Sequence, residues 1–163
     1  ITYENNKAVI HADLCKGCGR CIGACGFSAI RNEQWDAGDL LDKKMAEYAQ
    51  AVCQDRPCFH INMMMDISPN CDCHAENDAA ILPNIGMAAS FDPVALDQAC
   101  VDLCQKAEPI RNSQLGDHLA QPGWHHHHDH FMDSNPNVHW KETLEHGEKI
   151  GLGTRDYELV TIK

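Results

Sequence analysis

The chain has 163 residues and a formal net charge of −11, with 44% hydrophobic and only 6% aromatic side chains. That length suits one domain, or one domain with a small module, and the acidity argues against a nucleic-acid binder, which needs clustered Lys and Arg to neutralise phosphate. No run approaches the roughly 18 apolar residues of a membrane-spanning helix, so no membrane partner is expected. An acidic surface suits solubility, and it also suits docking to a basic redox partner protein.

In chain order, Ile1–Tyr3 and Ala8–Ile10 flank Asn5-Asn6, which predicts a short hairpin. A cysteine-rich run follows, Cys15-x-x-Cys18-x-x-Cys21-x-x-x-Cys25, with Gly17 and Gly19 between its ligands. Thiolates are soft ligands that suit iron in a cluster. Tight spacing lets one loop wrap a compact core, and glycines there permit unusual backbone angles. C-x2-C-x2-C-x3-C is the bacterial ferredoxin spacing, whereas zinc favours two separated C-x-x-C pairs. Cys15, Cys18, Cys21 and Cys25 are therefore the expected ligands of a [4Fe–4S] cluster. Gly26 stands where such runs usually carry Pro.

In two-cluster ferredoxins the fourth cysteine of a run ligates the other cluster. A short strand is expected near Ala29-Ile30-Arg31, and Ile1-Thr2-Tyr3 resembles the corresponding strand of a preceding repeat. Further N-terminal sequence of the same protein, carrying another cysteine run, is thus an expected partner of this segment. Cys25 would then reach toward a second cluster.

Beyond residue 38, Leu40, Leu41, Met45, Tyr48, Ala49 and Val52 share one face of a predicted helix from Asp39 to Val52, with Asp39 as N-cap. Cys58 to Met65 alternates as a strand: Phe59, Ile61, Met63 and Met65 on one side, Cys58, His60, Asn62 and Met64 on the other. The Met63-Met64-Met65 run reads as strand core rather than a copper site. Part of Ile81 to Ala89 is a further strand. Asp92-Pro93 opens a helix that runs to about Lys106, and Cys100 and Cys104 on it read as small buried hydrophobes. Cys53 and Cys58 flank a helix end and read as packing residues. A His-rich loop covers Asp117 to His139. A helix from Trp140 to Ile150 follows, ended by Gly151 and Gly153, and a last strand spans Tyr157 to Ile162.

The expected architecture is α/β (α+β): a ferredoxin-like Fe–S module over residues 1–38, packed on a small α/β layer over residues 39–163. Two further clusters could bind metal. Cys71, Cys73 and His74 lie in a polar loop, and His60 on the preceding strand could join them. Two thiolates beside an imidazole can chelate a borderline metal, or they are small residues near a turn. His125, His126, His127, His128 and His130 surround Asp129. That set suits a divalent ion such as zinc or nickel, or it is a solvated loop.

The cysteine run, the stretches MAEYAQAV and FHINMMMDISPNCDCHAENDAAILPNIGMAASFDPVALDQAC, and the ending IGLGTRDYELVTI together resemble the uncharacterised Fe–S centre proteins. This is a bacterial and archaeal family of unknown function. The resemblance spans nearly the whole chain and only the C-terminal half of that family. It implies a longer parent with a two-run ferredoxin module, and it implies no substrate. The expected function is [4Fe–4S] electron transfer in a reducing cytoplasm. The alternatives are a structural, sensing or metal-handling module, or the Fe–S half of a larger redox enzyme. No Ser-His-Asp order, phosphate loop or dinucleotide fingerprint is present, so whether the chain takes part in catalysis stays open.

Overall fold

The computed structural model describes residues 1–31, 38–71, 74 and 76–162, with the side chain of Asp39 set aside. The predicted segment boundary near residue 38 and Cys73 border on or lie outside these described residues. The chain forms two compact units, Ile1–Asp36 and Ala37–Lys163.

In the first unit, β1 (Thr2–Glu4) and β2 (Lys7–Val9) pair antiparallel with Tyr3 opposite Ala8. Asn5 and Asn6 both take positive φ, 50° and 60°. A two-residue turn whose twist matches the strands needs that at both positions, and Asn tolerates it. Helix α1 is a single turn, Arg20–Ala24. Of the strand expected to begin near Ala29–Arg31, the described residues show none: Cys25 to Arg31 is turn, bend and irregular chain, and the residues after it lie outside those described. None of the described residues here is buried, and Leu14, Tyr3 and Phe27 stand open to solvent.

The second unit contains α2 (Gly38–Cys53), β3 (His60–Met64), β4 (Gly86–Ser90), α3 (Pro93–Lys106), α4 (Gln114–Ala120), α5 (His130–Ser134) and α6 (Trp140–Lys149). β3 and β4 are antiparallel, with Met64 opposite Gly86 and Asn62 opposite Ala88. Small partners on β4 leave room for α3 to lie across the sheet. The core forms there from Met64, Ile81, Leu82, Leu96, Cys100, Cys104 and Leu115. Helices and two separate antiparallel strand pairs make the fold α+β, as the sequence predicts. No described helix is long and apolar enough to cross a membrane.

Asp92 caps α3 as predicted: its Oδ1 accepts from the amides of Val94 (2.9 Å) and Ala95 (3.0 Å), and Pro93 follows at the first helical position. Its Oδ2 also accepts from Thr154 N–H at 2.9 Å, so one carboxylate both starts a helix and fixes the C-terminal tail. That tail forms no strand; Tyr157 to Ile162 makes no sheet pairing. The expected His-rich loop from Asp117 to His139 instead begins inside α4, capped by Ser113, and contains α5, capped by Asp129. Asp39 lies inside α2, one residue past its start, rather than at its cap.

Burial departs from expectation on the apolar face of α2 and in the Met63-Met64-Met65 run, of which only Met64 is core. On α2, Ala46 is the buried residue, while Leu41, Tyr48 and Val52 are exposed. α2 meets α6 along a polar seam: Lys43 with Glu142 at 3.3 Å, Glu47 with His146 at 3.2 Å, and Gln50 Nε2 donating to Ile150 O at 2.5 Å. On β3, Met64 is buried, but Ile61 and Met63 face outward. Met63 lies across from the exposed Met87, and Phe59 packs against Phe91 with ring centroids 5.0 Å apart. Met63→Gln is therefore expected to change unfolding free energy by no more than about 0.5 kcal/mol, as for an ordinary surface site. Denaturant unfolding checks this, and a cost like that of a core truncation would refute it.

Candidate metal centre

The cysteine run occupies the loop and single turn that follow the β1–β2 hairpin. Amides of Leu14 and Cys15 donate to His11 O at 3.1 and 2.9 Å and close the turn that delivers Cys15. Gly17 and Gly19 take φ of 68° and 67°, a region that costs glycine little. Gly19 O then accepts from Ile22 and Gly23 and starts α1, which carries Cys21 and ends at Cys25. No disulfide joins Cys15, Cys18, Cys21 or Cys25.

Two sulfurs of the run already accept backbone amides. Gly17 N–H donates to Cys15 Sγ and Ala29 N–H to Cys25 Sγ, each at 3.4 Å. The amides of Phe27, then Ala29, hold the Cys25 thiol below its ordinary pKa, with Ile30 and Ser28 adding to the effect. Charge-assisted bonds of this kind favour the thiolate, which is the form that binds metal. A Cβ added at Gly26 meets nothing within 4 Å.

A different group is brought together where β3 begins. Cys53, Cys58 and His60 place one ligand atom each within 4.8 Å of one another, and all three are half-buried. Among the described residues no other trio of His, Cys, Asp or Glu meets that test. Sequence reasoning assigned Cys53 and Cys58 to packing and paired His60 with Cys71 and Cys73. The signal that could have found the group was the strand's period of two, which puts Cys58 and His60 on one face.

Cys71 is exposed, and His74 N–H donates to Cys71 O at 2.9 Å. The His74 ring meets Glu76 Oε1 at 3.2 Å, an exposed pair that holds the Glu76 carboxyl below its usual range. Asn77 ties the loop together, donating to Ser68 Oγ and Asn70 O at 3.1 Å each.

Within the histidine tract, Asp129 and the His130 ring are tied into the fold. Asp129 is 5% exposed, and its Oδ1 accepts from Gln105 Nε2 (2.9 Å), Phe131 N–H (3.0 Å) and Met132 N–H (3.2 Å). Its Oδ2 accepts from Trp140 Nε1 at 3.0 Å and lies 3.6 Å from Lys141 Nζ. His130 Nε2 meets Ala107 O at 3.0 Å, and His127 N–H donates to Asp133 Oδ1 at 2.7 Å. The rings of His125 and His127 contact edge to face. His126, His128 and His130 line a cleft of about 340 Å³ together with Gln105, Leu119 and Asp133.

Cys100 and Cys104 are buried on α3, and burial pushes the Cys104 thiol up to about 11. They act as small hydrophobes, as the sequence predicts.

A family model described as a domain of unknown function (DUF362) matches residues 2–102. Comparison with curated proteins and with solved structures finds no match.

Proposed function

The chain belongs to the DUF362 family of domains of unknown function, and on that premise we propose that it is an iron–sulfur protein that transfers electrons through a [4Fe–4S] cluster held by the Cys15–Cys25 run. One observation carries the reading. The first unit has four thiols in one loop and not a single buried residue among those described. Segments below about 40 residues rarely build a sufficient core and usually need disulfides or metals. These thiols form no disulfide, and their spacing is that of a ferredoxin.

The residues present fit such a group. Amides already directed at Cys15 Sγ and Cys25 Sγ are the hydrogen bonds to cluster sulfur that tune a potential. When bound, the cluster supplies a one-electron couple. The chain's part is to hold the thiolates, to lower the cost of their charge, and to keep Cys15 and Cys18 exposed near a partner's surface. The acidic net charge suits a basic redox protein as that partner. Reduced thiols suit the cytoplasm.

Anaerobic preparation of the chain with iron and sulfide analysis tests this. About four iron and four acid-labile sulfide per chain are expected, with a paramagnetic signal on reduction. Zinc at the run in place of sulfide-bearing iron would overturn it.

A further inference from the structure

We propose that Cys53, Cys58 and His60 form a mononuclear zinc site, separate from the cysteine run and independent of the reading given above. Three local features assemble it. α2 ends at Cys53, where Gln54 N–H still donates to Gln50 O and Arg56 N–H to Cys53 O. Asp55 then takes φ of 58°, which reverses the chain and returns Cys58 to Cys53; its Sγ lies 3.9 Å from Cys53 O. Cys58 lies two residues before β3 begins at His60, and both are half-buried while Phe59 between them is exposed.

The donor set and spacing match zinc. In a tetrahedral site with Zn–S of about 2.3 Å and Zn–N of about 2.0–2.1 Å, ligand atoms stand about 3.6–3.8 Å apart. The three atoms here lie within 4.8 Å of one another, so rotamer-scale movement of about 1 Å closes them on an ion. Two thiolates balance the charge of Zn²⁺, which suits a half-buried place. Three protein ligands leave a fourth tetrahedral position for water.

The imidazole supplies an independent pointer. His60 Nε2 is buried and has no hydrogen-bond partner, one of two such side-chain atoms among the described residues. An unsatisfied buried polar atom costs about 1–3 kcal/mol. Metal ligation gives a ring nitrogen of His60 the partner the protein does not.

The test uses the full chain, prepared anaerobically with its cluster, and zinc retained against a chelator is measured beside iron and sulfide. The wild type should hold one tight zinc, and so should a control with His126 and His128 replaced by Ala. Cys53→Ser/Cys58→Ser should lose that zinc with iron unchanged. His60→Gln should weaken it by more than the roughly 10–100-fold that an outer-sphere partner contributes. Cobalt substitution of the wild type needs no variant to fold: thiolate-to-cobalt charge transfer and tetrahedral bands are expected. Zinc kept by the double variant, a six-coordinate cobalt spectrum, or a Cys53–Cys58 disulfide in the zinc-treated chain would each overturn the site. Cys18→Ala should keep this zinc, which separates failure here from failure of the cluster assignment.

Discussion

Replacing Cys18 with Ala is expected to strip the visible thiolate-to-iron absorption and most of the iron and sulfide from the chain. Cys18 sits between the two left-handed glycines and is exposed. It stands at the middle of the Cys15–Cys21 triple, and its loss leaves the cubane one thiolate short of the set the run supplies. The effect should extend beyond the cluster. With no buried residue among those described in the first unit, ligand binding supplies much of its folding free energy. Amide exchange over residues 1–31 should therefore accelerate in the variant, while that of α3 stays protected. Full iron and sulfide in Cys18→Ala would sink the assignment. Cys25→Ser offers a finer reading. It should destroy the cluster if Cys25 closes the same cubane, and should spare it if the fourth cysteine crosses to another cluster, as in two-cluster ferredoxins.

Asp129→Ala is expected to destabilise the second unit by about 3 kcal/mol, combining a lost N-cap of about 1–2 kcal/mol with donors left buried and unpaired. One carboxylate joins three helices here. It caps α5 through Phe131 and Met132, takes Gln105 from α3, and takes the indole of Trp140 at the start of α6. Ala removes all of these acceptors at once. In a chain of this size the loss corresponds to a fall of about 6–12 °C in the midpoint of the second unit's transition. Thermal unfolding of wild type and variant checks it. Unchanged stability with weakened zinc or nickel affinity would show that Asp129 serves a metal instead of the fold.

That residue shows where sequence was legible and where it was not. Helix starts were readable when the signal was local: Asp92-Pro93 caps α3 as expected, and Asn5-Asn6 makes the hairpin turn. The four cysteines of the run fall together in one loop and turn, as their close spacing in the sequence suggests. Asp129 looked like a ligand because it stands among histidines, yet its partners Gln105 and Trp140 lie 24 and 11 residues away. The Cys53/Cys58/His60 group was missed for a related reason. Its assembly depends on the left-handed Asp55, a conformation that Asp tolerates but does not require. The face of α2 and the burial of Met63 and Met65 were misread because an apolar pattern finds a stripe without saying what covers it. On α2, Ala46 and the polar seam to α6 form the contact, and the larger side chains of the stripe remain outside.

On β3 the same arrangement gives the strand its own decoy. Side chains alternate with a period of two, so sliding β3 by one residue exchanges its faces completely. The slipped pairing would turn Ile61 and Met63 toward α3 and expel His60, Asn62 and the core residue Met64. Beside the burial of Met64, what opposes it is small and polar. Asn62 Nδ2 donates to Asp97 Oδ1 at 2.5 Å and approaches Cys100 Sγ at 3.7 Å, while Ile85 N–H holds Met64 O at 2.9 Å. Gly86 and Ala88 across the ladder accommodate Met64 and Asn62. The selection made at Asn62 is thus between two folded pairings rather than between folded and unfolded chain.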